Sequence, residues 1–256
     1  MYMTSSKFIA VVCAAALGIA SPALVSCSSN NVLAGHTQES STPEAVLDGY
    51  KSASAIMSGS LNLADMNKDT ITRIFSIYYG ANEQFSTARD EAIEKNGDTA
   101  DAKNPGVFLG DFIDKKDQKF LDDLYKDVGF DERVIVDDAV PNAKYDLFYF
   151  TLSTSLSGDE SVSEEAASAI GELSPDAVTM DDDNTAHVSL ADFDDDGSAV
   201  LKRDNGIWKL FLDKDQVTEV TSLGLYVLEA TSAGIDGDTP EKKGEFMADR
   251  VAEMRE

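Results

Sequence analysis

The amino-acid sequence predicts an α+β fold in which helices come first, an antiparallel β-meander packs on them, and a mostly helical extension follows. Apolar residues recur at helical spacing over much of 43–128, whereas over 185–212 they alternate at the two-residue period of strands. The segments within 185–212 are joined by Asp-Gly and Asn-Gly sequences, which are typical of hairpin turns. A chain of 256 residues is long enough to bury a sizeable core.

The first helix is expected to begin at Pro43, because Thr42 can cap it and Ser41 and Glu44 have capping-box spacing. A second helix is expected over 69–95, and a third from Asp111 to Gly129. Each of these two has a glycine at or just beyond its end, where a helix commonly stops. The polar stretch between them, 96–106, contains turn-forming residues and predicts a boundary.

Aromatic and β-branched residues predict strands over 133–136 and 144–156, followed by a short helix over 162–173. Alternating apolar residues then predict three strands, over 185–193, 198–203 and 207–212. Beyond 213 the apolar pattern fits either a helix or a strand. A last helix is expected from Pro240, capped by Thr239.

The chain is expected to divide into consecutive parts. These parts are a signal peptide over 1–26, a tether over 27–42, a helical region over 43–96, an α+β domain over 107–213 and a C-terminal extension over 214–256. The Ser/Asn-rich composition of 28–41 is typical of a flexible tether.

The first residues have the composition of an export signal. Lys7 precedes an apolar run over 8–20, which is too short to span a bilayer, since that takes roughly 20 apolar residues. The run is followed by Leu24-Val25-Ser26-Cys27. This sequence resembles a bacterial lipobox, in which an apolar residue and two small or branched residues precede an essential cysteine.

The resemblance implies that Cys27 receives a diacylglyceryl group and that the chain is cut just before it. Two acyl chains then hold the protein at the outer face of the bacterial cell membrane. Removal of Cys13 with the signal leaves the mature chain without a free thiol. The alternative is ordinary secretory cleavage with Cys27 incidental, but no good A-x-A-like site follows the apolar run.

The charge of the chain excludes one class of partner. The sequence has 21 Lys+Arg and 47 Asp+Glu, for a formal net charge of −26. A nonspecific nucleic-acid binder needs a basic face, so nucleic acid is not expected as a partner. Residues 145–201 contain 14 acids and no Lys or Arg, which indicates a solvated acidic surface, with a cation or basic partner as the alternative.

The sequence predicts no catalytic residue. His36 lies in the tether, and His187 is expected on the opposite strand face from Ala186 and Val188, as a solvated or hydrogen-bonded residue with a general base as the alternative. The nucleophile-elbow, P-loop and dinucleotide-binding motifs do not occur. The mature chain also lacks the Cys and His that a structural zinc site needs.

Asp192, Asp194 and Asp196, followed by Gly197, have the spacing of a calcium loop, in which alternate carboxylates converge. Arg203 stands where an EF-hand has glutamate, and the flanking segments are predicted strands rather than helices. The alternative is a solvated hairpin turn. The stretch 65–69 is a weaker calcium-like pattern whose alternative is a helix cap. Calcium is therefore a possible ligand, and no other cofactor is expected.

The region 160–212 resembles the nuclear-transport-factor-2-like superfamily, which includes secreted lipoproteins of uncharacterised function. The residues that carry the resemblance are Thr185-Ala186-His187-Val188 and Asn205-Gly206-Ile207-Trp208-Lys209-Leu210. The resemblance implies a cone-shaped fold with a buried Trp208. It leaves function open, because this superfamily contains isomerases, dehydratases and binding modules.

The leading functional prediction is a membrane-anchored, non-enzymatic module that binds an envelope protein or a small ligand. A carrier of lipid or another apolar molecule is the first alternative, with Tyr145–Phe150 lining its cavity. An enzyme of the superfamily, using His187 or a buried carboxylate in a deep pocket, is the second.

Overall fold

The computed structural model describes residues 41–57, 66–96, 106–157, 170–190, 197–218, 228, 235 and 238–253. The predicted α+β class is confirmed, because helices occur together with a five-stranded sheet. The chain forms two compact units of interleaved segments. Unit 1 takes the described residues of Met1–Ser60, Gly129–Asp137 and Gly158–Asp213, and unit 2 takes those of Leu61–Val128, Asp138–Ser157 and Lys214–Glu256.

The helices and strands are numbered here in chain order. The α-helices are α1 (Pro43–Met57), α2 (Lys68–Asn96), α3 (Lys115–Asp127), α4 (Ala143–Ser157) and α5 (Pro240–Glu253). The strands are β1 (Val134–Val136), β2 (Val178–Met180), β3 (Thr185–Ser189), β4 (Ser198–Asp204) and β5 (Ile207–Leu212). Short 3-10 helices occupy Leu109–Phe112 and Pro175–Ala177. Among the described residues, no helix is long and apolar enough to cross a membrane.

The predicted starts of α1 and α5 are confirmed. The α1 cap is Thr42, whose Oγ1 accepts from the backbone N–H of Ala45, and Thr239 makes the same contact with Lys242. The predicted third helix begins later than expected, at Lys115. The side chain of Asp114 accepts hydrogen bonds from two backbone N–H groups of the first turn and so sets this start.

The prediction of strands over 144–156 is wrong, because this segment lies in α4. Its aromatic and aliphatic side chains are buried around the helix, so the apolar residues show neither the helical period nor the strand alternation. The buried side chains, each at most 3% exposed, are Tyr145, Leu147, Phe148, Tyr149, Phe150 and Leu152. A continuous apolar run of this kind is compatible with either element, and tertiary packing decides between them.

Unit 1 contains the sheet, whose strand order is β1-β5-β4-β3-β2. Strands β2 to β5 form an antiparallel meander, and β1 pairs with β5 in parallel. The three predicted strands are present as β3, β4 and β5, and the prediction over 133–136 corresponds to β1. Strand β2 has no counterpart among the predictions. Of the predicted helix over 162–173, the described part is helical at 170–172.

Helix α1 packs on one face of this sheet at very short range. Trp208, on β5, is 4% exposed, as the superfamily resemblance implied. A methyl group at Gly49 would stand 2.6 Å from the carbonyl oxygen of Trp208 and 2.8 Å from its Cβ. The helix therefore approaches the strand so closely that only glycine fits at this position.

In unit 2, α2 and α5 pack together in the same manner. A methyl group at Gly244 of α5 would stand 2.3 Å from the Oγ of Ser76 and 2.4 Å from the carbonyl oxygen of Thr72, both on α2. Helix α4 is joined to α2 by the buried hydroxyl of Tyr149, which donates to the carbonyl oxygen of Ile74 at 2.8 Å. Residues 214–218, at the start of the ambiguous tail, are helical.

We predict that Gly49→Ala lowers the free energy of unfolding of unit 1 by about 1–3 kcal/mol, because the added methyl group overlaps Trp208. Gly80→Ala is the matched control, since nothing lies within 4 Å of a methyl group at Gly80 in α2. The control is expected to gain about 0.5–1 kcal/mol from helix propensity. Urea unfolding measures both effects, with Trp208 fluorescence reporting on unit 1 and circular dichroism on the helices of both units. Equal effects of the two substitutions would contradict the close packing.

Candidate functional site

The face of the sheet opposite α1 is named here the outer sheet face. Residues paired in register point to the same side of a sheet. One such row crosses all five strands, and its members are partly or fully exposed, in contrast to the buried face under α1. The row consists of Ile135, Phe211, Val200, His187 and Thr179. The outer sheet face therefore combines apolar, aromatic and titratable side chains within reach of solvent.

Two lysines face each other in the next row of the outer sheet face. Lys202 of β4 is paired with Lys209 of β5, and like charges in this position repel each other. The two side chains diverge. The Nζ of Lys209 contacts the Oδ2 of Asp204 at 2.7 Å, and the Nζ of Lys202 lies 3.2 Å from the ring centroid of Phe211. Lys209 is buried and paired with Asp204, whereas Lys202 is half-exposed, so Lys202 is the positive charge that this row presents to solvent.

His187 lies in β3 on the outer sheet face, and the prediction that it faces away from Ala186 and Val188 is confirmed by their alternating burial. Its Nε2 lies 2.7 Å from the Oδ2 of Asp181, which stands just after β2. The two side chains are 39% and 43% exposed. Solvent screens a polar contact of this exposure, so it contributes little to stability.

A buried acid in unit 2 was missed by sequence reasoning. Asp146, in the first turn of α4, is 1% exposed. Its two carboxylate oxygens accept hydrogen bonds from the backbone N–H groups of Leu109 (2.7 Å) and Gly110 (2.9 Å). These are the first residues of a 3-10 helix whose own N-cap residue, Phe108, provides no side-chain cap. Asp146 supplies that cap from another helix.

The surroundings of Asp146 disfavour its charged form. Burial raises the pKa of Asp146 to about 7, against the opposing effect of the hydrogen bonds from Gly110 and Leu109. Asp111 lies nearby and raises this pKa further. An acid with such a pKa is often catalytic, but here both carboxylate oxygens are engaged with backbone groups. The arrangement is that of a structural cap. The one sequence signal that could have found it is an acid inside the apolar run of 145–150.

Asp122 of α3 holds the first turn of α4. Its Oδ1 accepts a hydrogen bond from the hydroxyl of Tyr145 at 2.9 Å and lies 2.6 Å from the Nζ of Lys144. Burial and this hydrogen bond raise the pKa of the Tyr145 hydroxyl above its ordinary range. Because Lys144, Tyr145 and Asp146 are consecutive in sequence, three neighbouring side chains attach α4 to two separate segments of unit 2.

The aromatic stretch Tyr145–Phe150, predicted to line a cavity in a carrier, consists of packed side chains. Tyr149 contacts the rings of Phe148 and Tyr78 with centroid distances of 5.6 and 5.5 Å. Tyr149, Leu147 and Phe148 are fully buried. These residues therefore belong to the core of unit 2.

Several of the predicted sites lie outside the described residues. These sites are Cys27, His36, Asp65 and the calcium-like residues Asp192, Asp194 and Asp196. Of the weaker calcium-like stretch, Asn67 is described, and its Oδ1 accepts from the backbone N–H of Thr70 at 2.8 Å. That contact is the helix cap given as the alternative interpretation. Within the described ranges, no three His, Cys, Asp or Glu side chains are grouped so that they could hold a metal ion.

We compared the chain with known protein families, proteins and structures. No protein-family model, no curated protein and no solved structure matches the chain. The lipobox and superfamily resemblances therefore stay predictions from the residues that carry them.

We predict that Asp146 makes unit 2 less stable as the pH rises. The pKa of Asp146 is about 7 in the folded protein, against a usual value of 3.8, so the folded state binds the proton more tightly. This stabilisation is complete below about pH 4 and is lost as the pH rises through about 7. Its size is on the order of a few kcal/mol.

Urea unfolding at about pH 5 and about pH 8 tests this prediction. Asp146→Asn is expected to lose less stability over this interval than the wild type, although it is less stable at both values because its amide faces a backbone N–H. Asp123→Asn, at an exposed acid of α3, is the control and should behave as wild type. The same pH dependence in Asp146→Asn and wild type would reject the buried acid as its source.

Proposed function

We propose that the protein is a bacterial lipoprotein, anchored by a lipid on Cys27 to the outer face of the cell membrane, and that its folded part is a non-enzymatic binding module. The anchoring is supported by the order of features in the sequence: a basic residue, an apolar run and the lipobox-like Leu24–Cys27. Residues 28–42 separate that cysteine from the start of α1, which leaves room for a tether.

The observation that carries the binding role is the half-exposed Lys202, whose ammonium group lies over the ring of Phe211 on the outer sheet face. Lys209, its in-register neighbour, is buried and already paired with Asp204, so Lys202 is the lysine of this row that a carboxylate of a partner can reach. Phe211 and Val200, in the neighbouring row, offer partly exposed apolar surface beside the charges. We propose that the partner is an envelope protein with acidic side chains next to apolar ones, since this combination complements the outer sheet face.

The contacts of the titratable groups His187 and Asp146 support the non-enzymatic role that we propose. His187 forms a solvent-screened pair with Asp181, and Asp146 caps a 3-10 helix with both oxygens. His187 belongs to unit 1 and Asp146 to unit 2. Neither group has free, desolvated oxygen or nitrogen atoms of the kind that general acid–base catalysis needs.

We predict that Cys27→Ser abolishes lipid attachment and releases the protein from the membrane fraction, because serine lacks the thiol that receives the diacylglyceryl group. Metabolic labelling with an alkyne analogue of palmitate, followed by membrane fractionation, measures both effects. Cys13→Ser is the matched control and should be labelled as wild type, since that cysteine leaves with the signal peptide. Label on the Cys27→Ser protein would reject the lipid anchor.

We predict that a photo-crosslinking amino acid at Val200 gives a discrete adduct in the envelope of the native host. Adding Lys202→Glu to the same protein is expected to reduce the yield of that adduct at least about fivefold, because the new carboxylate repels the acidic side chains of the partner. The matched control carries the crosslinker at Ala252, an exposed position on α5 in unit 2. An adduct of unchanged yield after Lys202→Glu, or the same adduct from Ala252, would reject the outer sheet face as the binding surface.

A further inference from the structure

Ser41, just before helix α1, contacts one defined end of the sheet. Ser41 is the first described residue, and its hydroxyl accepts a hydrogen bond from the Nη1 of Arg203 at 3.0 Å. The same hydroxyl donates to the carbonyl oxygen of Asp183 at 3.3 Å. Helix α1 begins two residues later, at Pro43, and continues across the sheet. Two contacts to the sheet therefore fix the position of Ser41, the residue that follows 28–40 in the sequence.

Both partners of Ser41 lie at the same end of the sheet. Asp183 is in the β2–β3 turn, and Arg203 is near the end of β4, where its backbone N–H donates to the carbonyl oxygen of Asn184 at 2.8 Å. We name this end, formed by 181–184 and 205–206, the turn end. At the opposite end, Ser189 pairs with Ser198, and we name it the far end.

We infer that the turn end of unit 1 is its membrane-proximal end and the far end its membrane-distal end. This inference rests on the proposed lipid at Cys27. Thirteen residues of Ser/Asn-rich sequence, 28–40, separate Cys27 from Ser41, and a random coil of that length spans roughly 20 Å on average, so a lipid on Cys27 would keep the turn end near the bilayer. Strand β3 leads away from the turn end at about 3.3 Å per residue, which carries the far end roughly 15 Å further.

The orientation places the lysine pair and the Ser189–Ser198 pair at different distances from the membrane. Lys202 and Lys209 pair next to the β4–β5 turn, so they lie in the membrane-proximal half. Ser189 and Ser198 lie at the membrane-distal end. The lysine pair is thus nearer to proteins embedded in the same membrane than to those approaching from outside.

Energy transfer to the bilayer tests the orientation with the full chain. Cys13 and Cys27 are the only cysteines of the sequence. In the proposed lipoprotein, cleavage of the signal peptide removes Cys13 and the lipid occupies Cys27, so an introduced cysteine is the single free thiol. The same fluorescent donor is attached to Asp183→Cys, at the turn end, and to Ser189→Cys, at the far end. Both positions are exposed. The lipidated proteins, purified from the host, are reconstituted into phosphatidylethanolamine–phosphatidylglycerol vesicles that carry a headgroup acceptor.

We expect about twofold greater transfer from Asp183→Cys than from Ser189→Cys, given the difference in height. Inserting 20 Gly/Ser residues into the tether is expected to lower both values and to reduce their difference. Equal transfer, or greater transfer from Ser189→Cys, in proteins that remain on the vesicles would overturn the orientation and leave the lipid anchor standing. Failure of both proteins to stay on the vesicles would overturn the anchor and the orientation with it.

Discussion

The packing of α1 on the sheet is the constraint on which the arrangement of unit 1 depends. Gly49 allows the helix to lie directly against Trp208, and this contact buries one face of the meander. The opposite face then remains as the outer sheet face, with its lysine pair and His187. Because α1 starts beside the turn end, the same packing also places Ser41 at that end of the sheet.

Charge is used differently in the two units, and each use bears on the proposed function. In unit 1 the contact between His187 and Asp181 is partly exposed, so solvent screening makes it weak, and the half-exposed Lys202 lies over the ring of Phe211. Unit 2 buries one carboxylate completely and engages both of its oxygens with backbone groups, so that it holds α4 to a 3-10 helix. The first use suits the proposed binding surface, and the second is that of a structural cap.

Sequence patterns predicted the elements whose signals are local. The hairpin turn at Asn205-Gly206, where both residues have positive φ, and the caps at Thr42 and Thr239 depend on residues a few positions apart. The same reasoning failed for 144–156, because a helix buried all round carries no period. It also missed Asp146 as a cap, since its partners at 109 and 110 are distant in the sequence.

The sequence by itself determined the acidic charge, the antiparallel meander and the beginnings of α1 and α5, because period, turn chemistry and capping act over a few neighbouring residues. Only the tertiary structure decided which segments share a compact unit, that β1 pairs in parallel with β5, and that the run around Tyr149 is helical. The physical reason is that these features depend on burial and hydrogen bonds between residues far apart in the chain, which leave no local pattern.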